Sequence, residues 1–156
     1  MARIDHYLEA HAPQANSIVV GVSVFVLDEG GRLLIIRRKD TNLCHLPGGV
    51  QRVGETVATA AIRETKAETG IDVEIAGLIG IYSDPEHVIE YGPGDVRQEF
   101  SICFRARPLG GEPRPAGESK AAEWVEESLL YELPIHPATR LRIQHGFDDR
   151  AEPYFS

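Results

Sequence analysis

Apolar and small residues fill both sets of alternating positions in the first long strand-like run of the chain. From Ser17 to Leu27, Val20, Val22, Val24 and Val26 alternate with Val19, Gly21, Ser23 and Phe25. Both faces are apolar or small, which predicts a strand covered on both sides. Asp28-Glu29-Gly30-Gly31 reads as a turn. Arg32 to Arg38, with Leu33 to Ile36 at its centre, reads as a second strand, and the pair as a hairpin. Ahead of them, Ile4, Tyr7, Leu8 and His11 recur at helical spacing, so residues 1–16 are expected to form a short amphipathic helix that Pro13 ends.

Further along, Val57, Ala58, Ala61, Ile62, Thr65 and Thr69 recur with helical period. They cover an arc of roughly 140° that would pack on a core. Gly70 stops this helix. Asp72–Tyr82 and Arg97–Arg107 read as strands, with Gly77 and Gly80 marking a bulge or a close approach in the first. Between them Ser83–Val96 reads as loop. Pro108–Glu118 is loop, Lys120–Val125 a short strand, and Glu126–Leu133 and Pro137–His145 short helices. Residues 148–156 read as a loose tail. Strands and helices interleave, which gives an α+β chain with a mixed sheet between helices.

Chemistry enters on the helix that follows the Leu46-Pro47-Gly48-Gly49 turn. Glu64 and Glu68 stand one turn apart at the edge of the apolar arc. Like charges at that spacing repel by a few tenths of a kcal/mol. A divalent cation would relieve the repulsion, and hard carboxylate oxygens suit Mg²⁺ or Mn²⁺.

The stretch Gly49 to Ile71 resembles the Nudix box, Gly-x5-Glu-x7-Arg-Glu-U-x-Glu-Glu-x-Gly-U, where U is a bulky apolar residue. Gly49, Glu55, Arg63, Glu64, Glu68, Gly70 and Ile71 fall in register, and the Leu-Pro-Gly-Gly entry also matches. Thr65 departs from the bulky apolar position. Ala67 replaces one box Glu, removing a metal ligand. The resemblance implies a Nudix-type α/β/α sandwich over residues 1–156 as a single domain. It also implies Mg²⁺-dependent (or Mn²⁺-dependent) hydrolysis of a diphosphate linkage in a nucleoside diphosphate derivative. By the same carry-over Gly49, Glu64 and Glu68 hold the metal and Glu64 or Glu68 is catalytic. Glu55, Arg63, Gly48 and Gly70 support the loop and helix. A weaker marker, Pro85, resembles the proline of ADP-ribose pyrophosphatases. ADP-ribose-like compounds are thus the first substrate expectation, and nucleoside triphosphates the next. Ala67 keeps open a catalytically weak module that senses a nucleotide or sugar nucleotide.

Arg37 and Arg38 end the strand that feeds the box and are candidates to grip phosphate. A carboxylate from outside the helix, Glu99, Glu118 or Glu123, is a candidate to compensate for Ala67. Glu99 is therefore also placed among the tentative substrate-binding residues. His87 and His136 read as isolated, exposed or partly packed histidines, and Trp124 as core.

Composition narrows the partners. The chain has 156 residues, 42% of them apolar, which suffices for one core. A net charge of −8 argues against binding a nucleic-acid duplex or an anionic membrane. Cys44 and Cys103 form neither a disulfide framework nor a zinc spacing, so a reducing, cytoplasmic location is expected, with Cys103 in the core and Cys44 accessible. Neither a signal peptide nor a bilayer-spanning run is evident. Family analogy allows a homodimer.

Overall fold

The computed structural model describes residues 3–156. Strands β1 (Ile4–Tyr7), β2 (Ser17–Val26), β3 (Leu33–Arg38), β4 (Cys44–His45) and β5 (Gly48–Val50) precede helix α1 (Val57–Thr69). Then come β6 (Asp72–Tyr82), β7 (His87–Gly92), β8 (Asp95–Gly110) and β9 (Ser119–Val125). A 3₁₀ turn (Glu127–Glu132), α2 (Pro137–Asp148) and β10 (Tyr154–Phe155) complete the chain.

The long strand β8 organises the larger sheet. One edge pairs parallel with β2, which in turn pairs antiparallel with β5. The other edge takes β7 along its first residues and β6 along the rest, both antiparallel. β3, β4 and β9 form a separate three-stranded sheet. α1 and α2 belong to two different cores. Val22, Val24, Val26 and Leu34 pack with Ala60 and Ala61 of α1. Phe25, Leu33 and Ile35 face the other way, toward Ile143 of α2. Alternation along β2 and β3 thus feeds both cores, as strands covered on both faces require. The result is the mixed-sheet α/β/α arrangement that the pattern predicts.

α1 begins where Thr56 Oγ1 accepts the Thr59 N–H at 3.0 Å and ends at Gly70, whose φ of 78° is left-handed. Thr65 is fully buried without loosening the core, because its hydroxyl donates to the Ala61 carbonyl at 2.8 Å. Ile62 leaves the expected arc and is exposed, while Glu68 takes a place inside.

Several expectations need correction. Residues Ile4–Tyr7 are not helical but form an edge strand, paired antiparallel with β7 from Ile4 opposite Glu90 to Tyr7 opposite His87. That partner strand lies in the segment expected to be loop. Met1 and Ala2 of the expected helix lie outside the described residues. β2 and β3 do not form a hairpin; they enter different sheets and meet only at the Leu27–Leu33 bridge. The tail is anchored, since Tyr154 and Phe155 pair parallel with Gly80 and Ile81. Cys44 is buried, as is Cys103. The glycines of β6 do sit at register shifts, between Ile75 and Gly77 and between Leu78 and Gly80. No helix among the described residues is long and apolar enough to cross a membrane.

The packing of α2 on β2 has one tight point. A Cβ at Gly146 would overlap the ring of Phe25, which is fully buried and cannot swing away. Gly146→Ala should therefore destabilise the protein by about 1–3 kcal/mol in chemical denaturation. Gly77→Ala, whose Cβ would meet nothing within 4 Å, is the matched control and should change stability far less.

Candidate active site

Backbone geometry creates the site where β5 meets α1. Gly49 pairs with Val22 and Gly48 with Ser23, so the glycine turn lies against β2. A side chain at Gly48 would overlap the Val22 carbonyl, and one at Gly49 would overlap the Glu64 carboxyl group. Gly48 must be glycine for this approach, whereas a side chain at Gly49 would displace the Glu64 carboxyl group. The Gly48 N–H donates to Glu68 Oε1 at 2.8 Å, which ties the turn to the last part of α1.

Arg63 locks the loop before the helix. Its Nε and Nη2 donate to the two Glu55 oxygens at 2.6 and 2.8 Å, and Nη2 also reaches the Val50 carbonyl at 3.0 Å. Nη1 donates to Glu64 Oε1. A planar guanidinium bridges loop, turn and helix in one geometry. The Arg63 fork holds the Glu55 carboxyl well below the usual range, at about 2.

Glu68 is different. It is only 4% exposed, and among the described residues no basic side chain forms an ion pair with it, although the charges of Arg38 and Arg3 act on it from further off. Burial pushes its carboxyl up to about 7; the Gly48 N–H opposes that shift and the neighbouring Glu64 charge adds to it. A buried carboxylate without a cation partner is the group a divalent ion would stabilise. Oxygen donors alone, from Glu68, Glu64 and the Gly49 carbonyl, suit Mg²⁺ and Mn²⁺.

Glu68, Gly48 and Gly49 open onto a cavity of about 120 Å³. Arg38 and Glu99 also line it, whereas Arg37, Glu118 and Glu123 do not. Strand alternation explains the arginines: Ile36 and Arg38 share the cavity face of β3, and Arg37 takes the other. Arg38 is partly engaged, with Nε and Nη2 each 2.9 Å from the Asp40 carboxylate. Glu99 Oε1 and the Gly49 carbonyl border the same space over Gly21, at 3.6 and 3.7 Å from where a Cβ would stand. Of the three carboxylates nominated outside α1, Glu99 alone reaches the site. Ala67 is exposed. Trp124 packs half-buried against the α1 core, as expected of a core residue.

The far side of the cavity holds residues that sequence reasoning missed. Asp5, His87 and His136 line it together, and both histidines are buried, contrary to expectation. Asp5 Oδ1 lies 2.7 Å from His87 Nε2 and 3.4 Å from His136 Nε2. These two N–H donors, against the opposing effect of burial, hold the Asp5 carboxyl far below the usual range. The two rings stack with centroids 5.3 Å apart, and Tyr7 packs edge-on to both. Three chain segments distant in sequence meet here. Only knowledge of the β1–β7 pairing could have brought them together.

The NUDIX domain family profile matches residues 18–144. A MutT-like protein of Streptomyces ambofaciens is 39% identical over 75% of this chain and 68% of its own length. An ADP-ribose pyrophosphatase of Methanocaldococcus jannaschii is 34% identical over 69% of this chain, which spans 62% of that relative. Among solved structures, a NUDIX hydrolase from Nitrosomonas europaea superposes with a TM-score of 0.73 at 22% identity, covering 94% of this chain and 81% of that one. A loop-helix motif carrying one buried and one part-buried carboxylate, together with these relatives, places the chain in the class of phosphoanhydride hydrolases. It belongs to the Nudix family.

Glu68 imposes a sign on the pH dependence of stability. Its folded value, about 7, lies above the ordinary 4.5, so the folded chain binds this proton more tightly than the unfolded one. In chelator, that contribution is fully present below pH 4.5 and is lost as pH rises through about 7. The decline is on the order of 3 kcal/mol. The difference in denaturation free energy between wild type and Glu68→Gln, followed across that range, should carry this slope; parallel profiles would refute it.

Proposed function

We propose that this protein is a Mg²⁺-dependent hydrolase, with Mn²⁺ as a substitute ion, acting on the diphosphate of a nucleoside diphosphate derivative. ADP-ribose-like compounds come first and nucleoside triphosphates next. The observation that carries the proposal is Glu68, a buried carboxylate without a cationic partner at the mouth of a polar cavity. The names of the relatives, an ADP-ribose pyrophosphatase and a MutT-like protein, support the substrate class.

In this proposal Gly49 offers its carbonyl, and Glu64 and Glu68 their carboxylates, to the ion. Glu99 supplies the oxygen that the family pattern would place at Ala67. A bound divalent ion neutralises charge on the diphosphate and lowers the pKa of a coordinated water. Arg63, fixed on Glu55, orients Glu64 rather than touching substrate. Glu64 or Glu68 takes the proton of the attacking water, and the short, polar cavity aims that water at one phosphorus. Arg38 turns its remaining N–H groups to phosphate. Residues 1–156 act as one domain in a reducing cytoplasm, and a homodimer is compatible with the activity. Because Ala67 takes the place of one box carboxylate, a sensor that binds a nucleotide without turnover is the second reading.

Turnover of a nucleotide panel in Mg²⁺ separates the two. Hydrolysis should stop in chelator, and Glu68→Gln should lower kcat at least about 100-fold. Tight nucleotide binding without any hydrolysis would favour the sensor instead. Glu99→Gln should weaken Mn²⁺ binding, and Ala67→Glu should tighten it, both read by calorimetry. Unchanged affinity in both variants would remove Glu99 and position 67 from the metal's surroundings.

A further inference from the structure

The cavity has a second pole, around Arg3 and His45, whose polar atoms lack partners. Among the described residues, the buried side-chain nitrogens and oxygens without a hydrogen bond are Arg3 Nε, Ser23 Oγ and His45 Nε2, and all three residues line this one cavity. Such atoms destabilise the fold when nothing meets them. Ser23 has at best the weakly interacting Cys103 thiol beside it. Arg3 and His45 have no such neighbour for these atoms.

The chemistry of the pole favours donors. Arg3 presents a guanidinium N–H. His45 contacts Thr139 Oγ1 through Nδ1 at 3.2 Å, and its buried Nε2 has no partner; with the Thr139 hydroxyl donating to Nδ1, Nε2 carries the proton and is a free donor. Burial and the charges of Arg3 and Arg38 keep this imidazole neutral, with its pKa pushed down to about 3. The first turn of α2 closes the same wall through Ala138 and Thr139, adding the positive end of its dipole. The one carboxylate at this pole, Asp5, is already engaged by His87, by His136 and, at 3.8 Å, by Arg3 Nη2. Arg3 Nε is left as a charged donor without an acceptor.

A metal on the Asp5–His87–His136 cluster fits less well. His136 Nδ1 accepts the Ala138 N–H at 3.1 Å, so the neutral ring carries its proton on Nε2, the atom facing Asp5. A metal ligand at Nε2 would require Nδ1 to be protonated and to confront that backbone N–H.

We propose that Arg3 and His45, backed by the Asp5–His87–His136 cluster, form an anion subsite that receives a phosphate group of the substrate. The inference rests on the cavity being the substrate site, but its test needs no turnover. Arg3 is the specificity-determining residue, because its unpaired N–H adds both charge and direction. The cluster acts by positioning: His87 and His136 occupy Asp5 Oδ1 and fix that carboxylate beside Arg3.

The test is calorimetric titration of inorganic phosphate into the full chain in chelator, where no metal can hold the anion. Saturable binding is expected. Arg3→Gln should weaken it at least tenfold and His45→Asn should weaken it as well, with thermal melting confirming that each variant folds. Lys120→Gln, an exposed charge outside the cavity, should leave it unchanged. Glu68→Gln should retain phosphate binding even if it abolishes hydrolysis, which separates failure of this inference from failure of the hydrolase assignment. No metal-free binding, equal affinity in Arg3→Gln and Lys120→Gln, or loss of binding in Glu68→Gln would overturn the proposal. Saturable Zn²⁺ binding that disappears in His87→Ala would also overturn it, by making the cluster a metal site.

Discussion

The Gly48 N–H that meets the Glu68 carboxylate sets the relation between turn and helix on which the site depends. Without that bond the last turn of α1 would carry a buried acid with no partner at all. With it, the glycine turn is drawn against α1 at one end while β2 holds it at the other. The same contact leaves the second Glu68 oxygen without a protein donor. A single hydrogen bond thus does structural work and still leaves the acid under-compensated, which is the condition for binding a cation.

Arg63 solves the complementary problem. Its contacts with Glu55, Val50 and Glu64 bring three segments to one planar group. The loop from Gln51 to Thr56 contains no regular structure, so its shape is set by this side chain and by the cap of α1. Glu64 is therefore directed by an ion pair and Glu68 by a backbone donor. Two chemically identical residues, one turn apart, meet different surroundings and are suited to different tasks.

How far the sequence could be read follows from the distance over which each feature is decided. α1 was legible because its period, its terminating Gly70 and its spaced acids are all local. The coverage of β2 on both faces was legible for the same reason. Partner choice was not: the Asp28–Gly31 turn looks like a hairpin connection, yet β3 finds β4 and β9 while β2 finds β5 and β8. Ile4 to Tyr7 has helical spacing, but a short segment takes its conformation from a neighbour, here β7. That one missed pairing also concealed the Asp5–His87–His136 cluster, whose members acquire meaning only when the edge strand is in place. Glu99 could be nominated from its strand position, but only its place beside Gly21 and Gly49 separates it from Glu118 and Glu123.

The most direct measurement is a crystal structure of the protein with Mg²⁺ and a non-hydrolysable nucleotide diphosphate analogue. Oxygens of Glu64 and Glu68 should lie at about 2.0–2.1 Å from an ion that also contacts the diphosphate. An ion and diphosphate seated elsewhere, with Glu68 still bound only to the Gly48 N–H, would contradict the account.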